Sequence, residues 1–401
     1  MHPSLPLPWL ILLGALTAVG PLSIDMYLPA FPAMLADFRA APGTLAYTLA
    51  AFFIGMAVGQ LAYGPVSDRY GRRLPLMVGL ALYALASLGC ALSASVPALV
   101  AWRFLQALGG AAGLVLTRAI VRDRCATREA ARAFSLLILV MGLAPILAPL
   151  LGGWVAAGLG WRAIFTLLAG YGLVGLIIVW RRLPETHDTR HAAPLRPVRV
   201  LTDYLDLLAS PSLLGYTLVG GLGFAGMFAY IAGAPFVLIE LAGIPAEHFG
   251  WVFGLNALGF VAASQINARL LRSRSPTAIL AWSVRLPALT GVLLGLCALS
   301  GWMPLPLLLA GLFVYVSSLG FIGPNAAAAA LATHGQRAGT ASALMGALQF
   351  ALATLFGALE GGLHDGTARP LVLLMAAGGV GAWLVRRHLA AYLHRLGHPE
   401  H

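Results

Sequence analysis

Lysine is missing altogether: the twenty-five basic residues of this 401-residue chain are all arginine. That excludes a G-x-x-x-x-G-K-[ST] loop, whose lysine reaches the phosphates of a bound nucleotide, so ATP-driven work by this chain has no seat. Charge of either sign is scarce, at 10% of residues, where soluble domains carry about 25%. A water-soluble fold is thereby excluded. Cysteine is rare as well. Cys90, Cys125 and Cys297 lie far apart and share no ligand spacing, which leaves neither a disulfide framework nor a metal site. The histidines fall mostly in loops and the tail, among them His388, His394, His398 and His401, and no metal is expected. No hydrolytic triad stands out either, so no enzyme is expected. The net charge of +11 does not argue for nucleic acid, because the arginines sit in short clusters between apolar runs rather than along one face.

What the chain has in abundance is hydrophobic residues, at 60%. A helix needs about 20 mostly apolar residues to cross a bilayer core of about 30 Å. Runs of that length begin with 8–32, 44–64, 74–94, 97–121, 131–156 and 162–182. They resume with 211–239, 247–269, 276–300, 303–333, 337–361 and 368–388. The expected fold is all-α and membrane-embedded, with twelve transmembrane helices in two six-helix bundles. Residues 1–182 form the first bundle, 183–210 a linking loop with a short surface helix near Tyr204, and 211–401 the second bundle with a short tail. The start, Met1-His2-Pro3-Ser4-Leu5-Pro6, lacks the positive n-region of a secretory signal, and the run behind it reads as the first span, uncleaved.

Arginine placement sets the orientation. Loops after the even-numbered spans hold Arg69/Arg72/Arg73, Arg122/Arg124/Arg128, Arg181/Arg182/Arg190/Arg196/Arg199, Arg269/Arg272/Arg274 and Arg337. The other side holds Arg39, Arg162 and Arg369. Basic loops stay in the cytoplasm, so both termini are expected there. Six spans on each side of a central loop is the plan of parallel-repeat carriers, whose substrate site lies near the midplane between the halves.

Within the first span stands a carboxylate, in Ile24-Asp25-Met26-Tyr27-Leu28-Pro29. At such a depth an ionisable group costs about 2.5–3.5 kcal/mol on insertion scales, so it tends to face a cavity and to serve a substrate or proton path. After the second span comes Gly64-Pro65-Val66-Ser67-Asp68-Arg69-Tyr70-Gly71-Arg72-Arg73. Glycine there suits a tight turn, and Asp68 among three arginines suits ion pairs or a neighbouring helix N-terminus. An ordinary basic loop is the plainer alternative; the ordered pattern favours a gating latch.

That pattern resembles the signature loop between spans 2 and 3 of the major facilitator superfamily. Other segments resemble its twelve-span drug:proton antiporter branch, in particular the bicyclomycin/chloramphenicol-resistance (Bcr/CflA) family. They are Asp25-Met26-Tyr27-Leu28-Pro29, Arg103-Phe104-Leu105-Gln106-Ala107-Leu108-Gly109-Gly110, Ala148-Pro149-Leu150-Leu151-Gly152-Gly153, Ala229-Tyr230-Ile231-Ala232-Gly233-Ala234-Pro235-Phe236 and Gly339-Thr340-Ala341-Ser342-Ala343-Leu344. The third has Ala148 where that branch usually has glycine, and the second-half counterpart of the latch, around Arg269 to Arg274, has no acid.

The resemblance implies a proton-coupled exporter of drug-like small molecules in a bacterial inner membrane, monomeric, with the proton gradient and no cofactor as its energy source. A same-fold exporter of a metabolite such as an amino acid stays open as the alternative. Asp25 and Arg103 are then the proton-coupling pair. Asp25 lies about 10 Å and Arg103 about 9 Å below the outer surface at 1.5 Å per residue, and the implied fold puts both spans on the cavity, so the two can meet. A static buried pair that fixes packing is the alternative. Gly64, Asp68, Arg69, Gly71, Arg72 and Arg73 would form the gate. Gly142, Pro145, Pro149, Gly152 and Gly153 would form the antiporter motif of span 5, where small residues permit close helix contact and prolines kink the span. Tyr27, Gln106, Phe228, Tyr230, Tyr315 and Asn325 are candidates to touch cargo, because aromatic walls with a few polar groups suit a mid-sized apolar ligand. For each of them a core or lipid-facing place is the alternative. Asn256, Gln265, Asn267 and Gln349 read as interhelical hydrogen-bond formers, while Glu240 and Glu360 are expected at the interface.

Overall fold

The computed structural model describes residues 7–124, 127–187, 197–332, 334 and 337–395. Its α-helices are α1 (Leu7–Asp25), α2 (Phe31–Phe38), α3 (Ala46–Tyr70), α4 (Arg73–Ala91), α5 (Val96–Arg124), α6 (Thr127–Leu159) and α7 (Trp161–Arg182). They continue as α8 (Pro197–Leu208), α9 (Pro211–Ala234), α10 (Ala246–Leu270), α11 (Pro276–Ser283), α12 (Arg285–Leu299), α13 (Leu305–Leu331), α14 (Ala338–Gly362) and α15 (Arg369–Arg395). Among the described residues there is no strand. Hydrocarbon offers no partner to a backbone N–H or C=O, so an apolar chain closes its hydrogen bonds inside helices.

Among the described residues, twelve helical segments are long and apolar enough to cross a membrane. Broken pairs make up three of them: α1 with α2, α9 with a π-helix at Pro235–Leu241, and α11 with α12. The first crossing runs Pro8–Phe38, beyond the end expected near residue 32. The apolar run continues through Phe31, Met34 and Leu35 until Arg39, whose left-handed backbone (φ 49°) stops the helix. As a result Asp25 sits nearer mid-membrane than the sequence suggested. Many large apolar side chains point outward, among them Leu85, Trp154, Leu167, Leu289 and Leu296, each at least half exposed. In water such a surface would be an aggregation hazard; in lipid it is the matching one.

The chain forms two compact units. One comprises Met1–Ala40, Ala51–Val200 and Ala246–Gly250; the other comprises Ala41–Ala50, Leu201–Pro245 and Trp251–His401. The first is centred on Leu13, Leu16, Leu76, Leu80, Leu116 and Val179, where α1, α4, α5 and α7 meet. Small residues set its spacing. A Cβ at Gly109 of α5 would stand 2.6 Å from the carbonyl oxygen of Gly79 in α4, so these helices touch backbone to backbone. In the second unit α9 packs on α13, α14 and α15, around Ala225, Ala229, Phe356 and Leu374. The expected surface helix is α8, with Tyr204 and Leu207 buried and Val198, Leu201 and Leu205 exposed.

Candidate functional site

Asp25 is the last residue of α1. The chain then turns through Met26 and Tyr27, makes one 3-10 turn at Leu28–Ala30 and restarts as α2. Pro29 explains the break, since it has no N–H to give to the Asp25 carbonyl four residues back and its ring crowds that carbonyl. Asp25 is 3% exposed, and its carboxylate has no hydrogen bond or ion pair among the described residues. A buried anion without a partner is costly, so this carboxylate stands where its proton occupancy answers to any change in its surroundings.

Arg103, fully buried on α5, does not pair with it. Its Nη1 donates to Gln106 Oε1 at 2.5 Å, and Gln106 Nε2 donates to Ser87 Oγ on α4 at 2.8 Å. The guanidinium carbon lies 4.3 Å from the ring centres of both Tyr27 and Phe52. Nε and Nη2 are buried and without a hydrogen-bond partner. The expected Asp25–Arg103 contact is thus corrected by the helix break, which seats Tyr27 on the guanidinium in place of the acid. Tyr27 is 1% exposed and packs edge-on against Phe31. Tyr27 and Gln106, expected on the ligand surface, are here the holders of the arginine. A second link ties the region to α4: the hydroxyls of Ser23 and Tyr83 are 2.7 Å apart.

Glycine in α6 fits the helix break. A Cβ on Gly152 would collide with the Met26 carbonyl oxygen, and one on Gly153 would lie 3.8 Å from Pro29. Gly142, Pro145 and Pro149 lie in the same helix, where each proline removes an N–H from the ladder. The glycine- and proline-rich stretch of α6 therefore includes a seat for the broken backbone beside Asp25.

At the arginine-rich end, the loop expected over residues 64 to 73 shrinks to Gly71 and Arg72, because α3 continues as helix through Gly64 and Pro65 to Tyr70. A Cβ at Gly64 would meet nothing within 4 Å, so the conformational role falls to Gly71 alone, at φ +84°. Arg72 is 4% exposed. It bridges Asp68 Oδ1 at 2.6 Å and Asp123 Oδ2 at 2.9 Å and also donates to Ser67 Oγ at 2.7 Å. Arg73 donates to the Trp180 carbonyl at 2.6 Å, while Arg69 lies over the Tyr70 ring at 5.9 Å.

Two partners escaped the sequence reading. Asp123 supplies the second carboxylate, and Glu185 receives the backbone N–H groups of Arg72 and Arg73 at 2.8 and 3.1 Å, capping the start of α4. The position of Asp123 between Arg122 and Arg124 was the available signal for the first; nothing in the residue types marked Glu185. Partial burial pushes the Glu185 carboxyl upward, but N–H donation from Arg72, His187, Arg73 and Thr186 outweighs it and holds the group below the usual glutamate range.

The second-unit candidates are held by side-chain bonds. Tyr230 accepts from Asn256 Nδ2 at 2.9 Å and stacks on Phe253. Asn325 donates to Asn267 Oδ1 at 2.7 Å, and Tyr315 donates to the Gly223 carbonyl at 3.2 Å. All three are buried. Phe228 is half-buried beside Phe350. Asn256 and Asn267 are interhelical hydrogen-bond formers as expected. Glu360 is not at an interface: it is 4% exposed, and a Cβ on Gly233 of α9 would collide with its Oε1. Gly233 lets α9 come close enough to cover it.

Twelve apolar crossings, with a lone carboxylate and a boxed guanidinium at a broken first helix, define a polytopic membrane carrier of the secondary-transporter kind. The chain belongs to the major facilitator superfamily, whose model matches residues 13–358. It is 38% identical to the MFS-type transporter YdgK of Bacillus subtilis, over 91% of this chain and 90% of that protein. It is 33% identical to a bicyclomycin resistance protein homolog of Haemophilus influenzae, over 92% of each. The fold matches the crystal structure of a D-xylose–proton symporter with a TM-score of 0.67 at 14% identity, over 95% of this chain and 96% of that one.

Proposed function

We propose that this protein is a proton-coupled antiporter that exports drug-like small molecules of the bicyclomycin and chloramphenicol type across a bacterial inner membrane, with both termini in the cytoplasm. The observation that carries the proton-coupled part is the unpartnered carboxylate of Asp25 at the break in the first crossing, buried at 3% exposure. The drug-like cargo is supported by the name of the Haemophilus influenzae relative and by the segments that resemble the Bcr/CflA family.

The proposed mechanism is alternating access. A conformational equilibrium responds to a ligand only as far as the two states differ in affinity for it. A charged Asp25 is tolerated where water reaches it and disfavoured where water is sealed out. Proton binding therefore biases the protein toward the sealed state, and cargo binding biases it in the opposite sense. Arg103 contributes a guanidinium held against Tyr27 and Phe52. Its aromatic box and Gln106 fix a positive potential near the site where the proton comes and goes. Asp68, Arg69, Arg72 and Arg73, with Gly71 at the turn, are proposed to stabilise the state closed to the cytoplasm.

Efflux from cells expressing the protein tests this reading. Chloramphenicol and bicyclomycin should accumulate less than in control cells, and an uncoupler that collapses the proton gradient should restore accumulation to the control level. Accumulation unaffected by expression would overturn the cargo class. Export that survives the uncoupler would overturn the coupling.

A further inference from the structure

In the second unit, α11, α12 and α15 enclose a groove of about 650 Å³ that the transport cycle does not use. Its walls are mostly apolar, with Leu289 at 68% and Val292 at 42% exposure. One end carries Arg285, Arg386, Arg387 and Trp383, and no acid among the described residues lines it.

The arginines sit at a particular depth. Arg285 is the first residue of α12, fourteen residues before Leu299, or about 21 Å from that helix's far end at 1.5 Å per residue. That leaves it about 9 Å inside a core of about 30 Å. Arg387 lies eighteen residues after Arg369 on α15, about 27 Å along, which is near the same boundary. An arginine within reach of the interface extends its head toward it. Arg386 Nη2 donates to the Thr277 carbonyl at 3.5 Å, tying α15 to α11. Arg387 lies over the Trp383 ring at 5.9 Å. Arg285 is exposed and forms no hydrogen bond or ion pair among the described residues. An arginine at this depth without a protein partner is costly unless a counter-charge comes from outside.

We propose that this groove binds an anionic phospholipid of the surrounding bilayer. Its phosphate sits against Arg285 and Arg387, with Arg386 behind, and one acyl chain lies along Leu289 and Val292. The ligand's two parts match the groove's two parts. A basic pocket between membrane helices at headgroup level is the arrangement that holds such lipids.

Native mass spectrometry of the full chain in detergent tests the proposal, with phosphatidylglycerol and phosphatidylcholine of the same acyl chains as probes. Phosphatidylglycerol should be retained preferentially. The preference should fall by about fivefold for each charge removed in Arg285→Gln and Arg387→Gln. Arg285→Lys with Arg387→Lys should keep much of it. Leu289→Trp, which fills the groove and leaves the arginines, should weaken both lipids alike. Equal retention of the two lipids by the native chain, or an undiminished preference in the glutamine variants, would overturn the proposal. Displacement of phosphatidylglycerol by millimolar inorganic phosphate would overturn it too, since it marks a free-anion site. None of these readouts depends on the cargo or on proton coupling.

Discussion

At the scale of single residues, Asp25 and Arg103 divide between them two tasks that are often given to one ion pair. The guanidinium is anchored by Gln106 and by two rings at 4.3 Å, so the carboxylate has no standing counter-charge to lock its proton state. Proton-linked work then needs the carboxylate itself. Asp25→Asn keeps the shape and removes the titration. Expression and thermal unfolding should stay close to those of the native chain, while efflux loses its dependence on the pH difference across the membrane and falls to the uncoupled level. Gradient-driven efflux in that variant would remove Asp25 from the coupling role.

Glu185 sets a second expectation, of opposite character because it lies outside the crossings. Its folded-state carboxyl is held low by backbone N–H donors, so the ionised form stabilises the fold above the ordinary glutamate range. That stabilisation is lost as pH falls through the lowered value. Glu185→Gln should therefore unfold at a lower temperature than the native chain at neutral pH. The gap should close as pH falls below about 4, beneath the ordinary glutamate value. A gap that persists unchanged in acid would mean that shape rather than charge makes the cap.

At the scale of helices, α6 illustrates how a sequence pattern becomes a fit. Gly152 lies where the carbonyl of Met26 leaves the broken first helix, and any side chain there must push the two apart. Gly152→Ala should cost about 1–3 kcal/mol, the usual range for overpacking, and should depress efflux. At Gly158 in the same helix an added Cβ would meet nothing within 4 Å, so Gly158→Ala should be neutral or slightly stabilising, by up to about 1 kcal/mol. Thermal unfolding of both variants in detergent makes the comparison. Equal cost at the two positions would point to helix flexibility and away from the seat.

The helices themselves were legible because hydrocarbon enforces them: apolar runs of the right length have almost no other choice. The breaks were less so. Pro29 stood in view, yet a proline inside a membrane helix more often kinks it than ends it. That the α-helix ends at Asp25 depends on neighbours that periodicity does not reveal. The same limit applies to contacts. Residue types flagged Arg103 and Asp25 correctly as unusual, but which aromatic ring or amide holds the arginine is set by the two-residue turn that follows Asp25. Glu185 was hidden for a different reason. Its partners are backbone N–H groups at residues 72 and 73, and backbone partners leave no mark on residue type.

At the scale of the whole molecule, the arginines carry an orientation that helix geometry alone does not. Clusters follow the second, fourth, sixth and eighth crossings and Arg337 follows the tenth, while the odd crossings are followed by Arg39, Arg162 and Arg369 alone. Basic segments resist translocation, so the clustered ends should face the cytoplasm. The even number of crossings returns the chain to the side on which it began. A cysteine-accessibility map decides this. Starting from a chain with Cys90, Cys125 and Cys297 replaced, Ala94→Cys and Asp365→Cys should react with a membrane-impermeant maleimide added to whole cells. Ser273→Cys, in the Arg272–Arg274 cluster, should react only after the membrane is opened. The reverse pattern would invert the protein. It would set the Arg72 network on the outer side, and with it the gate that the proposed export cycle closes against the cytoplasm.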